Sequence, residues 1–302
     1  FCGVSMAASE EAAAVDVPLL PPYTDYKVQE DGGTTLFIID PQVDFHPGGS
    51  LAIATANEDA ERIAAFIRER KADIGDIVVS LDTHQKMHIA HPEFWVNPSG
   101  EHPAPFTIIQ VQDVESGDWK TSDQRWRDWG LAYVRGLAEN KRYPLTIWPE
   151  HCLLGSQGHS VVAPIHAACM EWAAHHSTTV TYVIKGNNML TEHYSAMKAD
   201  VPRKDDPRTS FNWELLGRFR RAGQVLICGQ ALSHCVAFTT RDIVANWPAE
   251  EREKVVLLLN CSSPVPGCQE SADQFVSDMR SEGITVTTSD DVALPSRASS
   301  QA

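Results

Sequence analysis

Six short runs of aliphatic and β-branched residues set the rhythm of this chain: TTLFIID (34–40), DIVVSLD (76–82), TTVTYVIK (178–185), QVLICG (224–229), KVVLLLN (254–260) and ITVTTS (284–289). Apolar residues run through each without alternation, the pattern of strands covered on both faces, as in a parallel sheet. Helix-period stretches at 58–70, 162–176, 212–223, 236–247 and 270–283 lie between them. Strand alternating with helix makes repeated βαβ units. The sequence therefore predicts an α/β, doubly wound fold: a mainly parallel six-stranded sheet with helices on both faces.

A chain of 302 residues can bury such a core as one domain. We expect that domain at 31–295, after a flexible N-terminal arm at 1–30 and before a C-terminal tail at 296–302. Segment 92–147 is rich in Pro, Gly, Trp and charge, and only 105–114 and 126–141 look regular in its neighbourhood. It is too long for an ordinary crossover and reads as an insertion covering a site or an interface.

The formal net charge is -15, with no long acidic block. This argues against nucleic acid as a partner, because phosphate binding needs clustered Lys and Arg. No apolar stretch approaches the ~20 residues that span a bilayer. Seven cysteines, an odd number with no C-x-x-C pair, fit neither a disulfide framework nor a thiolate zinc site. They suit a reducing, cytoplasmic setting. The chain starts at Phe1, which leaves organelle targeting open, and homo-oligomerisation is equally open.

In an open parallel sheet, ligands bind beyond the carboxyl ends of the strands. Here those ends carry chemistry. The first run ends in Asp40, the second in Asp82 followed by His84, the third in Lys185, and the fourth in the turn from Gly229 to Cys235. A thiol is poorly ionised at neutral pH, so a nucleophilic cysteine needs a base and a nearby positive charge or helix start. Asp40 can be that base, Lys185 the cation, and the helix opening near Cys235 the dipole. The plainer alternatives are a buried, inert Cys235 and a Lys185 that snorkels at a strand edge.

The second strand end continues as DTHQKMHIAH (82–91). Asp82 and His84, two apart on an extended segment, project to one side, and carboxylate with imidazole is a common Zn, Fe or Mn ligand set. WPEHC (148–152) supplies His151 as a third candidate. A solvated, His-rich loop would have the same look.

In order, FIIDPQVDFHPGGSL (37–51), DTHQKMH (82–88), WPEHC (148–152), VIKG (183–186) and GQALSHCV (229–236) resemble the nicotinamidases of the isochorismatase-like cysteine hydrolase superfamily. The match covers most of 34–290, with 92–147 outside it. The resemblance implies the isochorismatase-like hydrolase fold, an Asp40–Lys185–Cys235 triad, and one divalent ion on Asp82, His84 and His151, with His88 as a further ligand. It places Phe45, Trp148 and Tyr194 around the substrate ring. An oxyanion would meet the backbone N–H groups of Ala231 and Cys235, beside a cis peptide at Gln230–Ala231. Zn, then Fe or Mn, is the expected ion, gripping the ring nitrogen of a small-molecule amide. The implied reaction is nicotinamide to nicotinate and ammonia through a thioester. Alternatives are a related amidase acting on a carbamoyl or ureido compound, and an inactive scaffold. Val43, where Asn is usual, and Pro41, directly after Asp40, depart from the pattern.

Overall fold

The computed structural model describes residues 32–140 and 142–295; the expected arm and tail lie outside the described residues. The chain enters through β1 (Thr34–Ile39), α1 (Ala56–Arg70) and β2 (Ile74–Asp82). The insertion follows, with β3 (Trp95–Val96), β4 (Ile108–Ile109), α2 (Val111–Ser116), β5 (Lys120–Thr121), α3 (Arg127–Glu139) and β6 (Leu145–Thr146). It forms two small ribbons, β3 with β5 and β4 with β6, both antiparallel. The chain then returns through α4 (Ala163–His176), β7 (Thr181–Lys185), α5 (Trp213–Arg221), β8 (Gln224–Gly229), α6 (Cys235–Ala245), β9 (Val255–Leu258), α7 (Gln269–Ser281) and β10 (Thr285–Thr287).

The six predicted strands form one sheet in the order β10-β9-β8-β1-β2-β7, and every neighbouring pair is parallel. From β1 the chain steps one way through β2 and β7, and then the other way through β8, β9 and β10, so the winding direction reverses between β1 and β8. That reversal opens a crevice at the carboxyl ends of these two strands. Residues along β1 alternate between two buried clusters: Leu36 and Ile38 pack with Ile63, Ile67, Ile165 and Trp172, from α1 and α4. Phe37 and Ile39 pack with Phe219, Ile243 and Phe275, from α5, α6 and α7. Apolar residues of the insertion, including Trp95, Tyr133, Leu137 and Ile147, join this second cluster. Val43, one of the two departures, packs against the first.

The fold corrects one expectation. The run at 178–185 suggests a strand covered on both faces, yet β7 is the sheet's edge, and Tyr182 and Ile184 are 41% and 59% exposed. Thr and Val alternate with these larger side chains, so the period-two signal is hidden among residues that are all strand formers. Among the described residues no helix is long and apolar enough to cross a membrane. The six described cysteines are all free thiols.

Gly229 ends β8 with φ at +114° and pairs with Ile39; a Cβ there would collide with the Ile39 carbonyl. Gly229→Ala should destabilise the fold by at least about 1–3 kcal/mol, measured as a lower urea midpoint with an unchanged m-value.

Candidate active site

Four adjacent strands, β8, β1, β2 and β7, end level with one another. Ile39 is paired with Gly229 and Asp82 with Lys185, so the residues at or just past these ends share one edge. Lys185 sits at their centre, 3% exposed. Its Nζ donates to Asp82 Oδ1 at 2.9 Å, to the His193 carbonyl at 2.8 Å and to Cys235 Sγ at 3.6 Å. These three acceptors match the three hydrogens of an ammonium. Asp40 Oδ2 is also 2.9 Å from Nζ, but as an ion pair without hydrogen-bond geometry. A lone pair on Asp40 Oδ2 thus stays available. The other oxygen, Oδ1, accepts from Ser80 Oγ at 2.6 Å.

The charges follow from burial against Coulomb attraction. Burial acts to neutralise Lys185, but Asp40 and Asp82 outweigh it and hold the ammonium well above its ordinary range. Burial raises the Asp40 carboxyl, with Lys185 pulling against it. Burial also pushes the Cys235 thiol well up; Lys185 opposes this, while Asp40 and Asp82 add to it. The resting sulfur is therefore a thiol, and the helix start at Cys235 does not by itself ionise it.

Backbone geometry places these groups. Asp40 adopts φ of 46°, a left-handed conformation uncommon outside glycine. Pro41 follows without displacing it, and its carbonyl accepts from Val162 N. The Gln42 amide exchanges both hydrogen bonds with the backbone of Asp82, at 2.7 Å each, which locks the end of β2 to the loop after β1. Gly186, with φ of +80°, lets the chain leave Lys185 close by; a Cβ there would stand 3.0 Å from Asp82 Oδ1.

The histidine segment is not solvated. His84, His88 and His91 are fully buried and His151 nearly so. His84 pairs by a bridge with Leu153, and its N–H donates to the Cys152 carbonyl, which brings the WPEHC loop alongside. His151 Nε2 stands 3.3 Å and His84 Nδ1 3.6 Å from Asp82 Oδ2. The His84 ring lies 4.4, 5.0 and 4.7 Å from those of His88, His91 and His151. Ligand atoms of Asp82, His84 and His151 fall within 4.8 Å of one another, as do those of His84, His88 and His91. His84 Nδ1, His88 Nε2 and His91 Nε2 are buried without hydrogen-bond partners, an unfavourable state that a bound cation would relieve. Burial disfavours charge on His84, but Asp82 and Glu192 overcome it and lift its pKa to about 9. The donor set and its negative charge fit a divalent metal. His91, which the resemblance left without a role, belongs to this group.

Asp82 and His151 also face a small cavity, lined with Cys235, Ala231, His234 and the aromatic rings of Phe45, Trp148 and Tyr194. The Trp148 indole donates to the Tyr194 hydroxyl at 3.0 Å. The peptide between Gln230 and Ala231 is cis, as the resemblance implies. Cys235 opens α6, and a first-turn amide has no acceptor inside its own helix.

No protein-family model matches the chain. The nicotinamidase of Acinetobacter baylyi is 27% identical over 220 residues, 72% of this chain and 78% of that protein. Among solved structures, the Acinetobacter baumanii nicotinamidase/pyrazinamidase superposes with a TM-score of 0.60 at 20% identity, covering 88% of this chain and all of that one. In sequence and in fold the chain is similar to nicotinamidases. A Pyrococcus horikoshii pyrazinamidase, solved in complex with zinc, shares the fold, with a TM-score of 0.51 at 19% identity over 84% of this chain and 98% of that one.

Sequence reasoning missed several members of the site. Ser80 had a signal, since it lies two residues before Asp82 on the same strand face. Gln42, Glu192 and His234 had none, because each sits in irregular chain where no period assigns direction. Lys185 can be tested as the electrostatic keystone of this site. Lys185→Met leaves two carboxylates buried side by side and should cost about 3–5 kcal/mol in urea denaturation; adding Asp40→Asn should restore part of it.

Proposed function

We propose that the chain, through its hydrolase unit at 31–295, converts nicotinamide to nicotinate and ammonia as a metal-dependent cysteine amidohydrolase. The observation that carries this reading is the meeting of Cys235 Sγ, Lys185 Nζ and Asp40 in one buried cluster, beside an aromatic cavity that also touches the metal donors. The related Acinetobacter baylyi protein is a nicotinamidase, in keeping with that chemistry.

Because the thiol is neutral at rest, its proton must leave as the C–S bond forms, and Asp40 Oδ2, with a lone pair free of hydrogen bonds, is the acceptor at hand. Sulfur adds to the carboxamide carbon, and the oxyanion lies toward the N–H groups of Ala231 and Cys235. The protonated Asp40 then gives its hydrogen to the amide nitrogen, the C–N bond breaks, ammonia leaves and a thioester remains. Water, deprotonated by the same carboxylate, adds to the thioester carbon; the C–S bond breaks, the sulfur regains a proton and nicotinate is released. Lys185 keeps Asp40 ionised between these transfers and balances the negative charge that moves among oxygen and sulfur. Phe45, Trp148 and Tyr194 enclose the ring.

Asp82, His84 and His151, with His88, would hold one divalent ion, zinc by the nature of the donors. When bound, such an ion supplies a Lewis-acid point that orients a ring nitrogen.

Cys235→Ala should lower ammonia release from nicotinamide by at least on the order of a thousandfold with the fold intact by circular dichroism; an active variant removes Cys235 from the reaction. The base must be ionised to work, and burial lifts the Asp40 carboxyl above its ordinary value. The acid limb of kcat/KM should therefore fall off above the usual carboxylate range, with activity lost as pH drops through it. Stripping the ion with a chelator should abolish turnover of nicotinamide, and added Zn²⁺ should return it.

A further inference from the structure

Glu192 stands in the irregular chain after β7, away from any strand end, yet it is 4% exposed and faces the histidines. Its Oε1 is 3.1 Å from His84 Nε2 and accepts from His193 N at 2.8 Å. Its Oε2 has no hydrogen bond and lies 4.0 Å from His88 Nδ1. An ionised carboxylate only accepts. The hydrogen that a ligating His84 retains therefore sits on Nε2, facing Glu192, and Nδ1 is the nitrogen left for an ion. That nitrogen is the one beside Asp82, buried and without a hydrogen bond. A carboxylate behind a ligating imidazole fixes its tautomer and ring orientation and makes it a stronger donor.

The loop alone does not hold Glu192 in place. Glu192 N donates to the Tyr133 hydroxyl at 3.2 Å, and Tyr133 is a buried residue of α3. Two residues earlier, the Leu190 carbonyl accepts from the Trp129 indole at 2.7 Å, also from α3. On the other side, the Glu192 carbonyl accepts from Asp200 N at 2.9 Å. Arg203 lies over the Trp129 ring, 4.3 Å from its centroid, so the insertion grips this loop at both ends of the segment that carries Glu192.

We propose that Glu192 is a positioning residue of the metal centre, holding His84 with Nδ1 turned to the ion, and that α3 of the insertion keeps Glu192 there through Tyr133 and Trp129. The inference rests on the reading of Asp82, His84 and His151 as a metal site. Segment 92–147 thereby equips the centre with a carboxylate whose reach depends on an exact loop position.

The test is Zn²⁺ affinity of the full chain after chelator stripping, measured by competition with a chromophoric chelator, with the visible absorption of the Co²⁺ form as a second readout. Glu192→Leu should weaken Zn²⁺ binding about 10- to 100-fold and shift the Co²⁺ bands. Glu192→Gln keeps an acceptor for His84 Nε2 and should recover much of the affinity and the parental spectrum, which a merely structural role would not distinguish from Leu. Tyr133→Phe, which removes only the hydroxyl, should weaken binding several-fold with an unchanged melting temperature for the metal-free protein. Parental affinity and spectrum in Glu192→Leu overturn the inference; if that variant does not fold, parental affinity and spectrum in Glu192→Ala overturn it. Parental affinity in Tyr133→Phe removes the brace. A parent chain that binds no Zn²⁺ overturns the metal reading itself, and this inference with it.

Discussion

The site depends on one buried ammonium. Lys185 contacts Asp40, Asp82, the His193 carbonyl and Cys235 at once, and without it two carboxylates at the ends of adjacent strands would be buried together. Taking three charges out of water is unfavourable unless each is paired and hydrogen-bonded; here Ser80 donates to Asp40, the His193 carbonyl accepts from Lys185, and Asp82 accepts from Lys185 and faces His84 and His151. The arrangement divides labour between two carboxylates of the same type. Asp82, drawn far down by His84 and Lys185 against its burial, stays ionised and faces the imidazoles. Asp40 is raised by its burial and is left with an oxygen free to take and return a proton.

The doubly wound topology brings these groups together from distant sequence. Because winding reverses between β1 and β8, Asp40 and the turn into Cys235 leave the sheet on either side of one crevice. Asp82 and Lys185 arrive in register on the next two strands. The insertion completes the enclosure from outside the sheet: Trp148 and His151 follow directly from it, while Tyr133 and Trp129 hold the loop that bears Glu192 and Tyr194.

Much of this was legible because strands and strand ends have strong sequence signals. Six aliphatic runs gave the six strands of the sheet, and the polar residues closing four of them gave Asp40, Asp82, Lys185 and the approach to Cys235. The edge position of β7 was hidden, since Tyr, Val, Ile and Thr all favour strands whether exposed or covered. A solvated loop stayed open as an alternative for the histidines because polar, irregular chain gives no sign of burial; the pairing of His84 with Leu153 and the packing of the insertion show them closed in. Glu192 was invisible for a further reason: its role depends on a contact with Tyr133, 59 residues away in sequence, and no local period encodes such a contact.

The central claim is that the sulfur of Cys235, with Asp40 as its proton acceptor, carries the acyl group of the substrate. Rapid acid quenching during turnover of nicotinamide, followed by peptide mass analysis, tests it most directly. The account predicts a transient nicotinoyl mass on the peptide containing Cys235 that decays as nicotinate appears. Full turnover with that peptide unmodified at every time, or with the acyl group on another cysteine, would contradict it.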